Sequence, residues 1–183
     1  MFIPIILGTA REGRRSEKVA RFLLGEVEKA GLTTQLVDPR DFRLPATDDT
    51  KTSEAARRYA AIITPADGYI IVTPEYNHGY PGELKMLLDM LFEEYARKPV
   101  GFCGVSSGQY GGARAIELLK LTAIEYGMVP LSTSLYFPQV KTLFDQDGTL
   151  INPAAYTERL HKFFKELLWY ATALKCAREE TAA

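Results

Sequence analysis

The sequence predicts a doubly wound α/β fold, in which helices cover both faces of a parallel β-sheet. Short apolar runs alternate five times with longer segments whose apolar residues have helical spacing. Such alternation is typical of parallel sheets. The short runs also lack regularly placed polar residues, as expected for strands that are covered on both faces. Right-handed crossovers between the strands then place helices on both sides of the sheet.

The strands and the first two helices are assigned from local patterns. Five β-branched or fully apolar runs predict strands over Ile3 to Leu7, Thr34 to Val37, Tyr69 to Thr73, Val100 to Val105, and Met128 to Leu135. Ser16 is suited to cap the first helix, which ends at Gly31. Ser53 opens a second helix in the same way.

Three further helices complete the alternation. Apolar residues spaced i, i+3, i+4, i+7 and i+8 after Pro81 predict a helix that extends to Tyr95. The fourth helix is predicted over Arg114 to Tyr126, and the last over Pro153 to Ala177. Between the second strand and the second helix, residues 39–49 are interpreted as a polar loop near the rim of any site.

Composition narrows the class of protein. The 183 residues predict one domain spanning 1–183, with 46% apolar and 25% charged residues. The net charge of −1 does not favour nucleic acid or an anionic membrane as a partner. Residues 1–9 lack a basic leader and a cleavage site, so a secretory signal is not expected. Cys103 and Cys176 are expected to stay reduced, which favours a cytoplasmic protein.

Three loops are expected to surround the ligand site. In doubly wound sheets, ligands bind beyond the carboxyl ends of the strands, near the point where strand order reverses. The loops that follow the first, third and fourth strands there are Gly8 to Arg15, Pro74 to Gly82 and Ser106 to Gly112. These three segments therefore contain the candidate binding residues.

The first loop, GTAREGRRS, has the composition of a phosphate site. It is neither a G-x-G-x-x-G fingerprint nor a P-loop, but it brings hydroxyls and arginines to the amino terminus of a helix. Free N–H groups, the helix dipole and positive charge together favour a phosphate. The alternative is a solvated basic turn in which Ser16 only caps the helix.

The other two loops carry groups suited to a flat ligand. SSGQYGG has three glycines and two serines, so its backbone can approach a ligand closely and offer N–H donors. The alternative is a flexible loop without a ligand. PEYNHGYPG contains two tyrosines, a carboxylate, an amide and His78, which is more chemistry than a turn requires.

Taken together, GTAREGRRS, PEYNHGYPGELK and SSGQYGG resemble the NADPH-dependent FMN reductase family of flavodoxin-like proteins. P-E-Y-N followed by P-G-x-L-K is the most specific signature, and the similarity covers about residues 3 to 135. The family includes quinone, chromate and azo-dye reductases. The resemblance implies a five-stranded sheet in the order 2-1-3-4-5, FMN at its carboxyl edge, and a homodimer or homotetramer.

The resemblance also implies which residues hold the cofactor. Those at the FMN phosphate would be Thr9, Arg11 and Ser16, with Arg14 nearby and the backbone of Glu17. Those along the flavin ring and ribityl chain would be Pro74, Glu75, Tyr76 and Asn77. Those at the pyrimidine end of the ring would be Ser106, Ser107, Gly108 and Gly111. Many relatives carry a neutral residue in place of Glu17.

The implied activity is electron transfer from NADPH or NADH, through FMN, to a small-molecule acceptor. Quinones or similar acceptors such as FMN, azo dyes or chromate would be reduced by a ping-pong mechanism. Because the flavin supplies the chemistry, no catalytic side chain is assigned. A metal centre is not expected from two histidines and no cysteine cluster. A flavodoxin-like electron carrier and a non-flavin α/β interaction module remain as alternatives.

The third helix suggests a site of assembly. Leu87, Leu88, Leu91 and Phe92 make its apolar stripe wider than one sheet face should need. We therefore expect part of the segment from Glu83 to Tyr95 to be buried in a twofold interface.

Overall fold

The parallel sheet has the predicted strand order. The computed structural model describes residues 1–43, 45–47 and 51–182. The strands in these residues are β1 (Ile5–Leu7), β2 (Leu36–Val37), β3 (Tyr69–Pro74), β4 (Pro99–Val105), β5 (Val129–Pro130) and β6 (Leu135–Phe137). They pair in the order β2-β1-β3-β4-β5, and β6 also pairs with β4. All of these pairings are parallel. The order 2-1-3-4-5 is that of flavodoxin-like folds.

The fifth position in the sheet is divided between two strands, where a single strand from Met128 to Leu135 was expected. The reason is a side chain on the last helix: the backbone N–H groups of Ser132 and Thr133 donate to the Glu166 carboxylate at 2.8 and 3.0 Å. Because these N–H groups donate to a carboxylate, they do not form β-sheet hydrogen bonds with β4. Strands β5 and β6 therefore pair with opposite ends of β4.

Five helices flank the described part of the sheet. They are α1 (Ser16–Lys29), α2 (Glu54–Ile63), α3 (Gly82–Leu88), α4 (Ala113–Glu125) and α5 (Ala154–Ala182). The predicted cap of α2 is confirmed, because the Ser53 hydroxyl accepts the Ala56 N–H at 3.1 Å. The predicted cap of α1 is wrong, since Arg15 occupies the capping position and Ser16 is already helical. The last helix continues past Ala177, where Arg178 donates to the Arg97 carbonyl at 2.6 Å.

The third helix is shorter than predicted. It ends at Leu88, and a separate 3₁₀ turn spans Glu93–Tyr95. Between them the Phe92 N–H donates to the Glu94 carboxylate at 3.0 Å, which holds the chain in a turn. Leu87, Leu88 and Leu91 are at most 2% exposed within a single chain. The core therefore accounts for these three leucines, whereas Phe92, the fourth residue of the stripe, is 47% exposed.

Two apolar cores lie on opposite faces of the sheet. Side chains alternate along a strand, so Ile5 belongs to the core under α1 and α5, whereas Ile6 belongs to the core under α2, α3 and α4. The second core contains tyrosines, and the Tyr95 hydroxyl donates to the Tyr59 hydroxyl at 2.9 Å. Burial raises the pKa of both phenols. The two cores hold the sheet rigid beneath its carboxyl edge.

The segment that follows β2 reaches the first site loop. Residues Pro39–Phe42 form a 3₁₀ turn, and Arg40 donates to the Ala10 and Arg11 carbonyls at 3.0 and 2.7 Å. Part of the predicted polar loop, residues 44, 48 and 49, lies outside the described residues. No helix in the described ranges has the length and apolarity needed to cross a membrane.

Candidate functional site

A cavity of about 530 Å³ lies at the carboxyl edge of the sheet, between the three loops selected from the sequence. The predicted residues that line it are Arg11, Arg14, Ser16, Pro74, Glu75, Tyr76, Asn77, Ser106, Ser107 and Gly108. Thr9, Glu17 and Gly111 do not line it. The cavity is also lined by eight residues that the sequence analysis did not assign to the cofactor: Glu12, Gly13, Arg15, His78, Val105, Tyr110, Arg114 and Val140.

Ser16 is the most informative residue of the first loop. Its side chain is 1% exposed, and its hydroxyl has no hydrogen-bond partner among the described residues. Buried hydroxyls almost always form a hydrogen bond, so a buried hydroxyl without one is evidence for a missing partner. Helix α1 also begins without a side-chain cap, which leaves N–H groups of its first turn available. An anion beside Ser16 would satisfy both.

Two arginines of the same loop have guanidinium groups available to a ligand. Arg11 lies over the Tyr76 ring at 5.4 Å, and Arg15 lies at the start of α1. Neither guanidinium forms a hydrogen bond or ion pair with any part of the chain that the structure describes. Because both residues line the cavity, they provide positive charge next to the Ser16 hydroxyl.

Arg14, by contrast, is committed to the fold. It is 8% exposed, and it donates to the Thr9 carbonyl at 2.8 Å, to Asp38 at 2.8 Å and to Glu17 at 3.2 Å. Burial alone would raise the pKa of the Asp38 carboxyl, but hydrogen bonds from Arg14 and the Arg40 N–H lower it below its ordinary value. Arg14 therefore fixes the shape of the first loop.

Thr9 supports the loop from behind the cavity wall. Its side chain is fully buried, and its hydroxyl accepts the Arg11 N–H at 3.2 Å. The Glu17 carboxylate is likewise occupied, because Arg21 donates to it at 2.7 Å. The hydrogen bonds from Arg21, together with Arg14, lower the pKa of Glu17 against the effect of burial.

The second loop forms a tight hairpin. Tyr76 and Gly79 exchange backbone hydrogen bonds at 2.9 and 3.0 Å. Between them Asn77 and His78 both have positive φ, at 49° and 70°, as in a type I′ turn. Asparagine and histidine are among the residues that adopt positive φ most readily, so the turn holds both side chains at the cavity without large strain. The Asn77 amide has no partner within the described chain, so it is free to bind a ligand.

Glu75 does not present a free carboxylate to the cavity. Its side chain is 5% exposed and forms an ion pair with Arg114 at the start of α4. Arg114 Nε donates to one carboxylate oxygen at 2.6 Å, and the Arg114 N–H donates to the other at 3.2 Å. This pairing ties the second loop to α4. Glu75 and Arg114 lie 39 positions apart, so no local pattern could have revealed the pair.

The third loop approaches the sheet through its glycines. Gly111 has a φ of 60°, and a Cβ there would lie 2.8 Å from the Tyr136 Cβ. Gly111 therefore permits close packing, which explains why it does not line the cavity. Ser106 donates to the Gly108 carbonyl at 2.9 Å. The Ser107 hydroxyl and N–H have no protein partner in the described chain and remain available.

The arrangement suits a flat, phosphate-bearing organic molecule. At one end are an orphan hydroxyl, a helix amino terminus and two free arginines. At the other are a free amide, a free serine and an exposed tyrosine, Tyr110. No group of three or more histidine, cysteine or carboxylate residues that could hold a metal occurs in residues 1–43, 45–47 and 51–182.

Comparison with known proteins identifies the family of this chain. The model of a family described as NADPH-dependent FMN reductase matches residues 1–142. An NAD(P)H-dependent FMN reductase of Schizosaccharomyces pombe is 32% identical, over 89% of this chain and 85% of its own length. A quinone reductase of Pseudomonas putida is 28% identical, over 81% of this chain and 83% of its own.

A solved structure shares the fold. It is FerB, a flavoenzyme NAD(P)H:(acceptor) oxidoreductase from Paracoccus denitrificans, with a TM-score of 0.80 at 23% identity, and the match covers 93% of this chain and 97% of that one. The match of the family model over most of the sequence is decisive. The chain belongs to the NADPH-dependent FMN reductase family.

Proposed function

We propose that this protein is an FMN-dependent NAD(P)H oxidoreductase that passes electrons by a ping-pong mechanism to quinones or similar acceptors. The observation that carries the proposal is the orphan Ser16 hydroxyl at the uncapped start of α1. Together with family membership, it favours a phosphate-bearing flavin over an unliganded turn. It also refines the expectation from the sequence, since Ser16 is available to a ligand because it does not cap the helix.

The FMN phosphate would bind at the first loop. Ser16 would donate its hydroxyl, Arg11 and Arg15 would supply charge-assisted hydrogen bonds, and the first turn of α1 would add N–H groups, including that of Glu17. Thr9 and Arg14 would act indirectly, by holding the loop in shape. This assignment adds Arg15 to the residues expected from the sequence and gives Arg14 a supporting role.

The flavin ring would lie between the second and third loops. Pro74 and Tyr76 offer apolar area, Asn77 offers an amide, and Ser107 offers a hydroxyl and a backbone N–H. Bound FMN supplies the redox chemistry, taking two electrons from NAD(P)H and giving them to the acceptor. The role of the chain is to orient the ring, leave one face open and direct N–H dipoles at negative charge.

The electron-carrier alternative is not favoured. The relatives named above are reductases that use NAD(P)H or reduce quinones, and the chain has a net charge of only −1. An interaction module without flavin would not explain the unpaired Ser16 hydroxyl or the unpaired guanidinium groups of Arg11 and Arg15 at the cavity. We propose azo dyes as acceptors alongside quinones.

Steady-state kinetics tests the mechanism. With FMN bound, rates are measured while NAD(P)H and a benzoquinone are varied together. A ping-pong enzyme gives parallel double-reciprocal lines, because the two substrates react in separate steps. Intersecting lines would show that both substrates must bind together and would overturn the mechanism. A protein that never retains FMN would overturn the proposed function itself.

We also propose that the protein assembles as a homodimer or homotetramer, through α4 and through Phe92, the exposed member of the apolar stripe. Leu118, Leu121 and Ile124 on α4 are 48%, 68% and 59% exposed. Phe92 is 47% exposed, and its ring lies 5.9 Å from that of Tyr126, the residue after α4. A row of exposed apolar side chains is typical of an interface. Since Tyr110 and Arg114 lie just before this row along the chain and line the cavity, a partner there would sit close to the site.

Two further expectations complete the proposal. We propose that residues 1–183 act as one domain, since α5 packs onto the same sheet as the helices that precede it.

We also keep the expectation of a cytoplasmic location. Cys103 and Cys176 are both free thiols, as in proteins of a reducing compartment. Burial raises the pKa of the Cys103 thiol and makes it unreactive.

A further inference from the structure

His78 and Arg114 form a hydrogen-bonded pair in the wall of the cavity. Arg114 Nη1 lies 2.8 Å from His78 Nε2, and both side chains line the cavity. A guanidinium has only donors and does not lose its proton in proteins. His78 Nε2 must therefore accept this hydrogen bond. The imidazole is then neutral, with its proton on Nδ1.

Arg114 is fixed by contacts on several sides. Its Nε and its backbone N–H both donate to the Glu75 carboxylate, at 2.6 and 3.2 Å. Its guanidinium also lies over the Tyr110 ring at 5.4 Å. Because Glu75 balances the charge, Arg114 presents His78 with a donor held in a defined direction.

The backbone independently fixes the position of His78. The residue sits in a two-residue turn with a φ of 70°, closed by two hydrogen bonds between Tyr76 and Gly79. Histidine tolerates positive φ better than most residues, and the two hydrogen bonds that close the turn hold it in this conformation. The side chain is exposed at the cavity, and within the described residues its Nδ1–H has no protein acceptor.

We propose that His78 donates a hydrogen bond from Nδ1–H to an oxygen of the bound acceptor, and that Arg114 is the positioning residue that fixes this tautomer. The inference rests on the proposed function and adds a specific contact to it. Acceptors with a carbonyl or similar oxygen, such as quinones, would be favoured over flat molecules without one.

The role of His78 is electrostatic, because it keeps its proton. Quinone reduction consumes NAD(P)H, one quinone and one proton, and yields NAD(P)⁺ and hydroquinone. The two electrons and one hydrogen come from NAD(P)H by way of the flavin, and the second proton comes from solvent. If neutral His78 gave up the Nδ1 proton, it would become a strongly basic imidazolate. It therefore stabilises negative charge on the oxygen without transferring a proton.

NMR of the imidazole nitrogens tests the tautomer without requiring activity. The chain has only two histidines, so His161 on α5 serves as an internal reference. In mildly alkaline buffer we expect His78 to carry its proton on Nδ1. An unconstrained neutral histidine favours Nε2, so His78 protonated on Nε2 would overturn the inference, whether or not the protein is a reductase.

Substitution of the positioning residue extends this test. Arg114→Met removes the donor, so His78 should revert to the Nε2–H tautomer. Arg178→Met is the matched control, because Arg178 contacts the Arg97 carbonyl and the Asp67 carboxylate, both away from the cavity, and it should leave His78 unchanged. An unchanged tautomer in Arg114→Met would remove Arg114 from the proposal.

The two half-reactions test the contact with the acceptor. His78→Leu should slow flavin reoxidation by quinone roughly 2- to 10-fold, the range expected for one neutral hydrogen bond. Flavin reduction by NAD(P)H should not change. His78→Asn keeps a donor near the Nδ1 position and tolerates positive φ, so it should recover most of the loss. Equal slowing of both half-reactions, or no recovery with asparagine, would rule out the contact. Failure of the wild-type protein to bind flavin would instead count against the proposed function.

Discussion

The orphan hydroxyl of Ser16 leads to a prediction in which one substitution has two opposite effects. In Ser16→Ala the apo protein loses a buried polar atom that has no partner among the described residues. The FMN complex loses a hydrogen bond to a charged phosphate. We therefore expect the apo protein to become no less stable, while its affinity for FMN falls.

The magnitudes follow from the burial and from the charge of the ligand. An unsatisfied buried hydroxyl costs about 1–3 kcal/mol, so the free energy of unfolding of the apo protein should rise by up to that amount. A hydrogen bond to a charged group contributes about 1.5–3 kcal/mol, so FMN should bind roughly 10- to 150-fold more weakly. Riboflavin has the same ring and no phosphate, so its affinity should barely change.

Ser134→Ala is the matched control. The Ser134 hydroxyl is also buried without a partner in the described chain, but the residue does not line the cavity. Its removal should affect stability in the same direction and leave FMN binding unchanged. Urea unfolding measures the stability, and flavin fluorescence titration measures the affinity.

Two results would refute the reasoning about Ser16. If riboflavin weakens as much as FMN does, the residue contacts the ring or shapes the loop, and the phosphate assignment fails. If the apo protein loses stability, the Ser16 hydroxyl stabilises the start of α1, and its lack of a partner is not evidence for a ligand.

Three other predictions address the loop, its support and the assembly. Arg11→Ala should weaken FMN binding roughly 10- to 150-fold with little effect on riboflavin, and added salt should narrow the difference from wild type; a loss that salt does not alter would speak against an ionic contact. Asp38→Asn should lower the free energy of unfolding at neutral pH, because Asp38 has a depressed pKa in the folded state. Its stabilisation is present above the ordinary pKa of an aspartate and is lost as the pH falls through the lower folded value, so the two proteins should converge in urea unfolding in acid. A gap that persists in acid would contradict this. Leu121→Glu should dissociate the oligomer in sedimentation experiments, whereas Trp169→Glu, at the exposed apolar residue on α5, should not; a wild-type monomer would refute the interface.

The sequence predicted where the cavity lies, because the rule that ligands bind beyond the carboxyl ends of parallel strands depends only on element order. Ten of the thirteen assigned residues line the cavity. The strand order itself came from the resemblance to a family. Periodicity alone does not say which strands are neighbours.

Most of the features that were missed depend on contacts between distant residues. The early end of the third helix is the exception, because apolar spacing continues past Leu88 and hides the turn that Glu94 makes with the Phe92 N–H two residues away. The interruption of the fifth strand is a long-range effect, since Glu166 lies 34 positions from the Ser132 N–H that it binds. Arg14 and Arg11 look alike in the sequence, but Asp38, 24 positions away, pairs with only one of them. The position of Arg114 beside the cavity could have been predicted, because it lies in the first turn of the helix that follows the third loop.

Anaerobic reduction of the reconstituted protein tests the central claim most directly. FMN-loaded protein is mixed with NADPH in the absence of any acceptor, and the visible absorption of the bound flavin is followed. The account predicts prompt bleaching, and recovery of the colour when a quinone is then added. Flavin that binds but stays oxidised until an acceptor is present would contradict the account, because the protein would then not be a ping-pong reductase.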